Sequence, residues 1–511
     1  MFVAHKQWLL WRFVVIAQLV CASRRSFDRM QWRWSAPPLD DDTATLYQST
    51  PEEEEEVFHN NVDNNGTSAL PVFNVQDFGA RGDNVNDCTA AFRAALNRAT
   101  NGGRVYVPPG LFLLRGNLTV PPGATLFGSF GSVPSHSLWY GQPVLDGSIL
   151  IPTGGRGSNG CAAGVDDLNC SAAFITVTAN AAVQRLTVFY AEQETVRAPV
   201  PYPWTFSLVA NNAALTDVEL LGSWNGVSVV SAGRHYIARL QGQPLNIGVF
   251  VDQVYDIGRI EDVHFVPWFS QAAPLIYHQT TFGRAFVFGR SDWEYVLNTF
   301  AYAYAVGYQF LDLGSGGMNG NFVGIGADAA TNASVLVDQS HPYGILIVNG
   351  EFTAFCDRGV PNFDHQSVHF CRPADPTIAP VHLRVLPGNL GAVKFVDSSF
   401  WGPSSAVAVT DGDGTVSFVG CHFEDWDNHL NATATGFFHN GTAAVQQLGG
   451  TLIVSNSEFS SADSPATTQL KLATAAKKTV LTGNIVKGTL RIDAEGGYAG
   501  KLANHSNLDD S

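Results

Sequence analysis

A repeated spacing in the second half of the chain limits its fold more than any other feature. Four segments carry apolar or small residues at the same offsets: Ile345, Ile347, Gly350 and Phe352; Val393, Phe395, Ser398 and Phe400; Val416, Phe418, Cys421 and Phe423; and Leu452, Val454, Ser457 and Phe459. Alternation makes each pair a strand, and the two-residue skip between pairs requires a corner. Asn349, Asp397, Gly420 and Asn456 stand at the first skipped position, and these residue types tolerate the left-handed backbone of a corner. The frame extends backwards through Leu215, Val218 and Leu220 with Asp217 at the corner, then Ile237, Leu240 and Gly242, then Ile260, Val263 and Phe265 with Asp262 at the corner. More loosely it takes in Val296, Thr299 and Ala301 with Asn298, and Phe322, Ile325 and Ala327. The units close at intervals of about 22 to 26 residues, or at longer ones that hold an insertion. Such short units cannot bury a face alone, so they stack into a β-solenoid whose equivalent residues form ladders ~4.8 Å apart.

Composition agrees. Fifty glycines and 33 phenylalanines beside three methionines suit many short strands and tight turns, and 45% apolar content excludes a disordered chain. A net charge of -16 argues against a basic nucleic-acid surface. The predicted class is all-β.

A solenoid must cover its open end. After Asp87, the residues Phe92, Ala95, Leu96 and Ala99 share one helical face, which predicts a short N-terminal capping helix. Short strands punctuated by Pro108-Pro109-Gly110 and Pro121-Pro122-Gly123 follow. The run from Asn74 to Gly128 closely resembles the opening of the pectate lyase superfamily. The resemblance rests on Asp77-Phe78-Gly79-Ala80-Arg81-Gly82-Asp83, Thr89-Ala90-Ala91, Gly102-Gly103, Val105 to Gly110 and Thr125-Leu126-Phe127-Gly128. It implies a right-handed parallel β-helix of the rhamnogalacturonase- and epimerase-like kind, acting on polysaccharide outside the cell. Cys88 departs from the family pattern, which usually has a second Asp there; a disulfide or a buried thiol accounts for it. The stretch from Gly242 to Phe265 and Gly289 to Glu294 resemble the superfamily more loosely.

Residues 1–23 have the layout of a secretory signal peptide, with Lys6 and Arg12 ahead of an apolar stretch and then Ala22 and Ser23; a short signal anchor is the alternative. Residues 24–70, with Asp40 to Asp42 and Glu52 to Glu56, read as an acidic linker or pro-segment, leaving 71–511 as one β-helix domain. Cys88, Cys161, Cys170, Cys356, Cys371 and Cys421 then form an even set suited to an oxidising compartment, with Cys161–Cys170 and Cys356–Cys371 as the expected local pairs. Sequons at Asn65, Asn117, Asn169, Asn332, Asn431, Asn440 and Asn504 agree with secretion.

Fold does not settle chemistry. The Asn-Thr-Asp, Asp-Asp, His-Gly and Arg-Ile-Lys signature of polygalacturonase-like hydrolases is not intact here, and the pair Asp166-Asp167 lies in the expected disulfide loop, which argues against a catalytic pair. A hydrolase needs two carboxyl groups flanking the scissile bond, and a lyase needs a base beside a cation or Arg. The frame predicts Glu219, Gln241 and His264 as outward neighbours on successive coils, and Arg239 beside Glu261. Asp252 and Asp256 follow a strand, while Arg290, Asp292, Trp293 and Glu294 enter after an insertion that holds Trp268. Asp252, Asp256, Asp292, Glu294, His264 and Glu261 are therefore the catalytic candidates, with Glu219, Arg239, Arg290, Trp268 and Trp293 as substrate-binding candidates. Each has a plainer reading as a turn residue, a surface ion pair or packing. Nothing requires a cofactor; Ca²⁺ in a carboxylate groove is compatible with the sequence. The expected partner is a polysaccharide, with no nucleic acid and no membrane after signal cleavage. Hydrolysis stands slightly ahead of elimination, against a non-catalytic glycan-binding or structural solenoid. If Asp252, Asp256, Asp292 and Glu294 point to different faces, a site built from them fails.

Overall fold

A computed structural model describes residues 70–100, 102–136, 145–267, 270, 272–354, 357–361, 367–370, 379–402, 404–427, 429–430, 437–438, 441–461 and 467–509. The signal segment, the linker up to residue 69, Trp268, the expected Cys356–Cys371 pair and the sequons Asn65, Asn431 and Asn440 lie outside these residues. Thr67–Ser511 forms one unit, to which every described residue belongs.

The capping helix runs from Thr89 to Arg98 and buries Ala91, Phe92, Ala95 and Leu96, with Phe92 edge-on to Phe112 at 5.6 Å. Beyond it the chain winds into parallel coils. Among the described residues, the strands form one 13-stranded sheet and one 26-stranded sheet, every neighbouring pair within them parallel, together with two small antiparallel pairs, Asp357–Pro361 with Ser367–Phe370 and His429–Leu430 with Phe437–Phe438. A representative coil contributes Ile247–Asp252 to the smaller sheet, then Arg259–Glu261 and His264–Phe265 to the larger one on either side of the corner. The ladder read from the sequence is the observed register: Leu215, Ile237, Ile260, Val296, Phe322, Ile347, Phe395, Phe418 and Val454 pair in series. All nine are buried in one core, where aromatic rings continue the stacking, as with Phe286 on Tyr308 at 4.8 Å and Phe395 on Phe418 at 5.3 Å.

The corners are left-handed where expected, with φ of 56° at Asp217, 52° at Asp262, 53° at Asn349 and 47° at Asp397. Two arginines also occupy corners, Arg185 at 58° and Arg239 at 49°. This corrects the expected pairing of Arg239 with Glu261. Arg239 stands opposite Asp217 and grips it with both Nε (2.6 Å) and Nη2 (2.8 Å), whereas Glu261 aligns with Ala238 and accepts from the Tyr236 hydroxyl at 3.1 Å. A left-handed arginine costs roughly 1–2 kcal/mol, and a bidentate charge-assisted contact offsets part of that.

The two edges of the 13-stranded sheet differ. Turns that leave it are short, such as residues 253–258 and 289–293, while connections that enter it hold the insertions, including residues 153–172 and the helix Ala273–Phe282. The insertions wall one edge of that sheet's outer face.

Candidate active-site groove

On the 13-stranded sheet Phe206, Val227, Val249 and Phe286 face the core. Trp204, Ile247, Phe250 and Val287 form a separate cluster on the outer face, with Trp204 stacked on Phe250 at 6.1 Å. The loop closed by the Cys161–Cys170 disulfide packs Leu168 against this buried cluster. Within the loop Asp166 caps a short turn by accepting from Leu168 N at 2.9 Å. Asp167 is fixed from the sheet: its carbonyl accepts from Trp204 Nε1 at 3.2 Å, and its Oδ2 accepts from Trp224 Nε1 at 2.9 Å and Asn246 Nδ2 at 2.8 Å.

Asn246 also donates to Asn225 Oδ1 at 3.0 Å. Asn225 is fully buried, and its Nδ2 has no hydrogen-bond partner among the described residues, like the neighbouring Ser223 Oγ. Arg284 pairs in register with Ile247. Burial lowers its guanidinium pKa, opposed by the charges of Asp166, Asp167 and Asp338. Its Nη1 approaches Gln309 Oε1 at 3.5 Å, and Gln309 Nε2 donates to Asp338 Oδ2 at 3.0 Å. Farther along the face Arg384 donates to Ala379 O at 2.9 Å, while its buried Nε has no partner among the described residues. His278, on the wall helix, packs on Trp224 at 4.7 Å, and burial pushes its pKa down to about 4. The result is a carboxylate held in a fixed orientation beside a half-buried cation, on a loop seated over the buried Trp204–Phe250 cluster. Such polar groups can bind the hydroxyls and acidic groups of a sugar.

The carboxylates expected to act together are separated. Glu294 is not in a groove. It shares the inward parity of Val296, is fully buried inside the coils, and meets His235 Nε2 at 3.0 Å and Ser291 Oγ at 2.6 Å. One rung lies between Glu294 and His235, occupied by Gly258, where a Cβ would collide with both side chains. Asp256 is half exposed in an ion pair with Arg234. Asp252 does lie on the outer face, but it is 4% exposed and accepts from Arg290 N at 2.7 Å; Gly289 leaves room for its carboxylate. Arg290, Asp292 and Trp293 come together on the next outgoing turn, with Arg290 and Asp292 2.7 Å apart.

Glu219, Gln241 and His264 do align as neighbours. They are nevertheless no open site. Segment Ser129–His136 crosses them: His136 N and Nδ1 each meet the Glu219 carboxylate at 2.5 Å, and Gln241 Nε2 donates to Pro134 O. Glu219 is fully buried as a result. His264 packs on Phe300 at 5.5 Å, and burial lowers its pKa.

The sequence reading missed Arg284, Gln309 and Asp338, and it set aside Asp167. The indole and amide donors that hold Asp167 lie 57 and 79 residues away in the chain, so no local motif marks it. A hollow of about 200 Å³ lined by Arg115, Asn117, Phe174 and Tyr190 contains no carboxylate. Among the described residues no group of three or more His, Cys, Asp or Glu is placed to hold a metal ion.

Residues 72–162 match the family model described as Rhamnogalacturonase A/epimerase, pectate lyase-like. No curated protein matches the sequence. Among solved structures, a mutant of the DFA-IIIase from Arthrobacter chlorophenolicus A6 in complex with DFA-III is 12% identical, with a TM-score of 0.50 over 81% of this chain and 94% of that one. The N-terminal fragment of gene product 12 from bacteriophage Phi29 is also 12% identical, with a TM-score of 0.48 over 84% of this chain and 71% of that one. The catalytic unit of a GH87 alpha-1,3-glucanase from Streptomyces thermodiastaticus strain HF3-3 is 12% identical, with a TM-score of 0.44 over 86% and 68%. The chain is a right-handed parallel β-helix, and its residues 72–162 match the pectate lyase-like family model.

Proposed function

We propose that this chain is a secreted carbohydrate-active enzyme that hydrolyses an acidic or cell-wall-type polysaccharide lying along the outer face of the 13-stranded sheet. One observation carries the reading: on this face Asp167 is held through one oxygen by Trp224 and Asn246, and Asp338 is held by Gln309, the same amide that Arg284 Nη1 approaches at 3.5 Å. Two donors on Oδ2 leave the other oxygen of Asp167 for a sugar hydroxyl or a water. Asp338, tied to the face through Gln309, supplies the second carboxyl group that glycoside hydrolysis requires. Arg284, half-buried on that face, would take up an acidic group of the chain. The description of the matching family model agrees with a glycan ligand.

Elimination is the second reading. It is favoured by the guanidinium groups of Arg284 and Arg384 on that face, which would pair with a uronate carboxylate as its α-proton leaves. One assay separates the two. The secreted protein is incubated with pectic, rhamnogalacturonan, alginate and β-glucan polymers, and reducing ends are read together with the ultraviolet absorbance of an unsaturated sugar. Reducing ends without absorbance are expected; both rising together would establish elimination, and neither would remove the enzyme reading.

A further inference from the structure

Four of the sequons fall among the described residues, at Asn117, Asn169, Asn332 and Asn504. An N-linked glycan replaces one hydrogen of the Asn Nδ2 and is bulky and hydrated, so the folded chain must leave that nitrogen and the space around it in solvent. The fold treats the four positions differently. Asn332 is half-buried beside the strand Ala333–Val337, its main-chain N donates to Ala305 O at 3.0 Å, and the sequon hydroxyl, on fully buried Ser334, donates to Thr353 O at 2.8 Å. Asn504 lies within the strand Lys501–His505, in register with the buried Leu481 at a position that faces the core on earlier coils, and its Oδ1 accepts from Asn507 Nδ2. Asn117 is exposed, with the Arg93 guanidinium donating to its carbonyl and to its Oδ1 at 2.7 Å. A glycan on Nδ2 would leave that contact in place.

Asn169 is exposed, and its side chain makes no hydrogen bond to another described residue. Its backbone, in contrast, is fixed from both sides. Asn169 N donates to Asp166 O at 3.0 Å and closes the turn Asp167–Asn169. Cys170, buried and bonded to Cys161, leads from that turn towards the strand Ala173–Val177. Within the turn, Asp167 is tied to Trp224 and Asn246, and Leu168 packs on the cluster of Trp204 and Phe250. Asn169 is therefore the residue of this turn left to solvent, on a loop that cannot fold its side chain away. The hydroxyl residue of its sequon, Ser171, is exposed as well.

We infer that Asn169 is a modification site that carries an N-linked glycan, placed on the loop that holds Asp167 and two residues from it. The inference rests on the secretion part of the proposed function and not on its chemistry, because occupancy is read by mass whether or not the groove cleaves a polymer. For the test, the full chain is secreted from a glycosylating eukaryotic host. Its N-glycans are then removed in heavy-oxygen water by an amidase that converts each occupied Asn to Asp, and the peptides are read by mass spectrometry. Asn169 should be converted in most molecules, and Asn332 and Asn504 in few. Asn169→Gln should lack one glycan in mass relative to the wild type and keep its unfolding temperature, since no contact of that side chain is lost. Asn117, exposed and distant in sequence from the loop, reports whether the chain met the glycosylating machinery. Conversion of Asn117 with Asn169 left unmodified would overturn the site, as would an Asn169 converted no more often than Asn332. No conversion at any sequon would overturn the secretion reading, and the site with it.

Discussion

Gly258 shows how one residue decides a buried arrangement. Its missing side chain lets Glu294 and His235 meet across a rung inside the core. Burial alone would lower the His235 pKa, and the Glu294 charge overrides it to raise the value. Gly258→Ala should separate the pair, and breaking a buried ion pair costs about 3–5 kcal/mol. The urea midpoint should fall accordingly, whereas an unchanged midpoint would mean that the pair tolerates the methyl. His136 offers a pH test. Burial lowers its pKa, but bonding to Glu219 prevails and pushes it up to about 9. A histidine whose folded pKa is raised contributes stability that is complete below its unfolded value, ~6.5, and lost as pH rises through the folded one. The stability difference between the wild type and His136→Gln should therefore be largest at pH 6 and smaller at pH 10 in parallel urea titrations. The sequence placed Glu219 on the correct side of its strand. It could not show the cover, because the covering histidine lies 83 residues away.

Strand and corner are the elements most legible in the sequence, because their signal is local. Alternation fixes which side chains enter the core, and Asp, Asn or Gly marks most corners. Arg185 and Arg239 escaped because arginine carries no such mark; Arg239 is held there by contacts to Asp217 on a neighbouring coil. Asn349→Val should cost about 1–2 kcal/mol, the price of a β-branched side chain at positive φ, while Asn349→Gly should be close to neutral. Equal urea midpoints for the two variants would contradict the corner argument. The loop between Cys161 and Cys170 is the opposite case. Its spacing predicted the disulfide, but its place beside Trp204 and Trp224 follows from the stacking of later coils.

At the scale of the whole molecule the stack is readable and the site is not. A period near one coil determines a solenoid, and the first coils match a pectate lyase-like family model. Function, however, depends on which outer face the insertions wall off and on side chains brought together from distant coils. Asp252, Asp256, Asp292 and Glu294 lie close in sequence yet go to the sheet face, an exposed ion pair, an outgoing turn and the interior. Arg284 and Asp338 lie far apart in the chain and are joined through Gln309, and Asp167 is fixed by Trp224 and Asn246 from later coils.

The groove is tested most directly by the rate of reducing-end release from the polymer that the wild type degrades fastest, measured for Asp167→Asn, Asp338→Asn and Asp256→Asn. Loss of positioned acid–base catalysis typically costs about 10²–10⁴-fold. The account predicts a loss of that size for the first two variants without a change in unfolding temperature, and a rate close to wild type for Asp256→Asn, whose residue sits in a surface ion pair. Full activity in Asp167→Asn and Asp338→Asn would contradict it and move the site off this face.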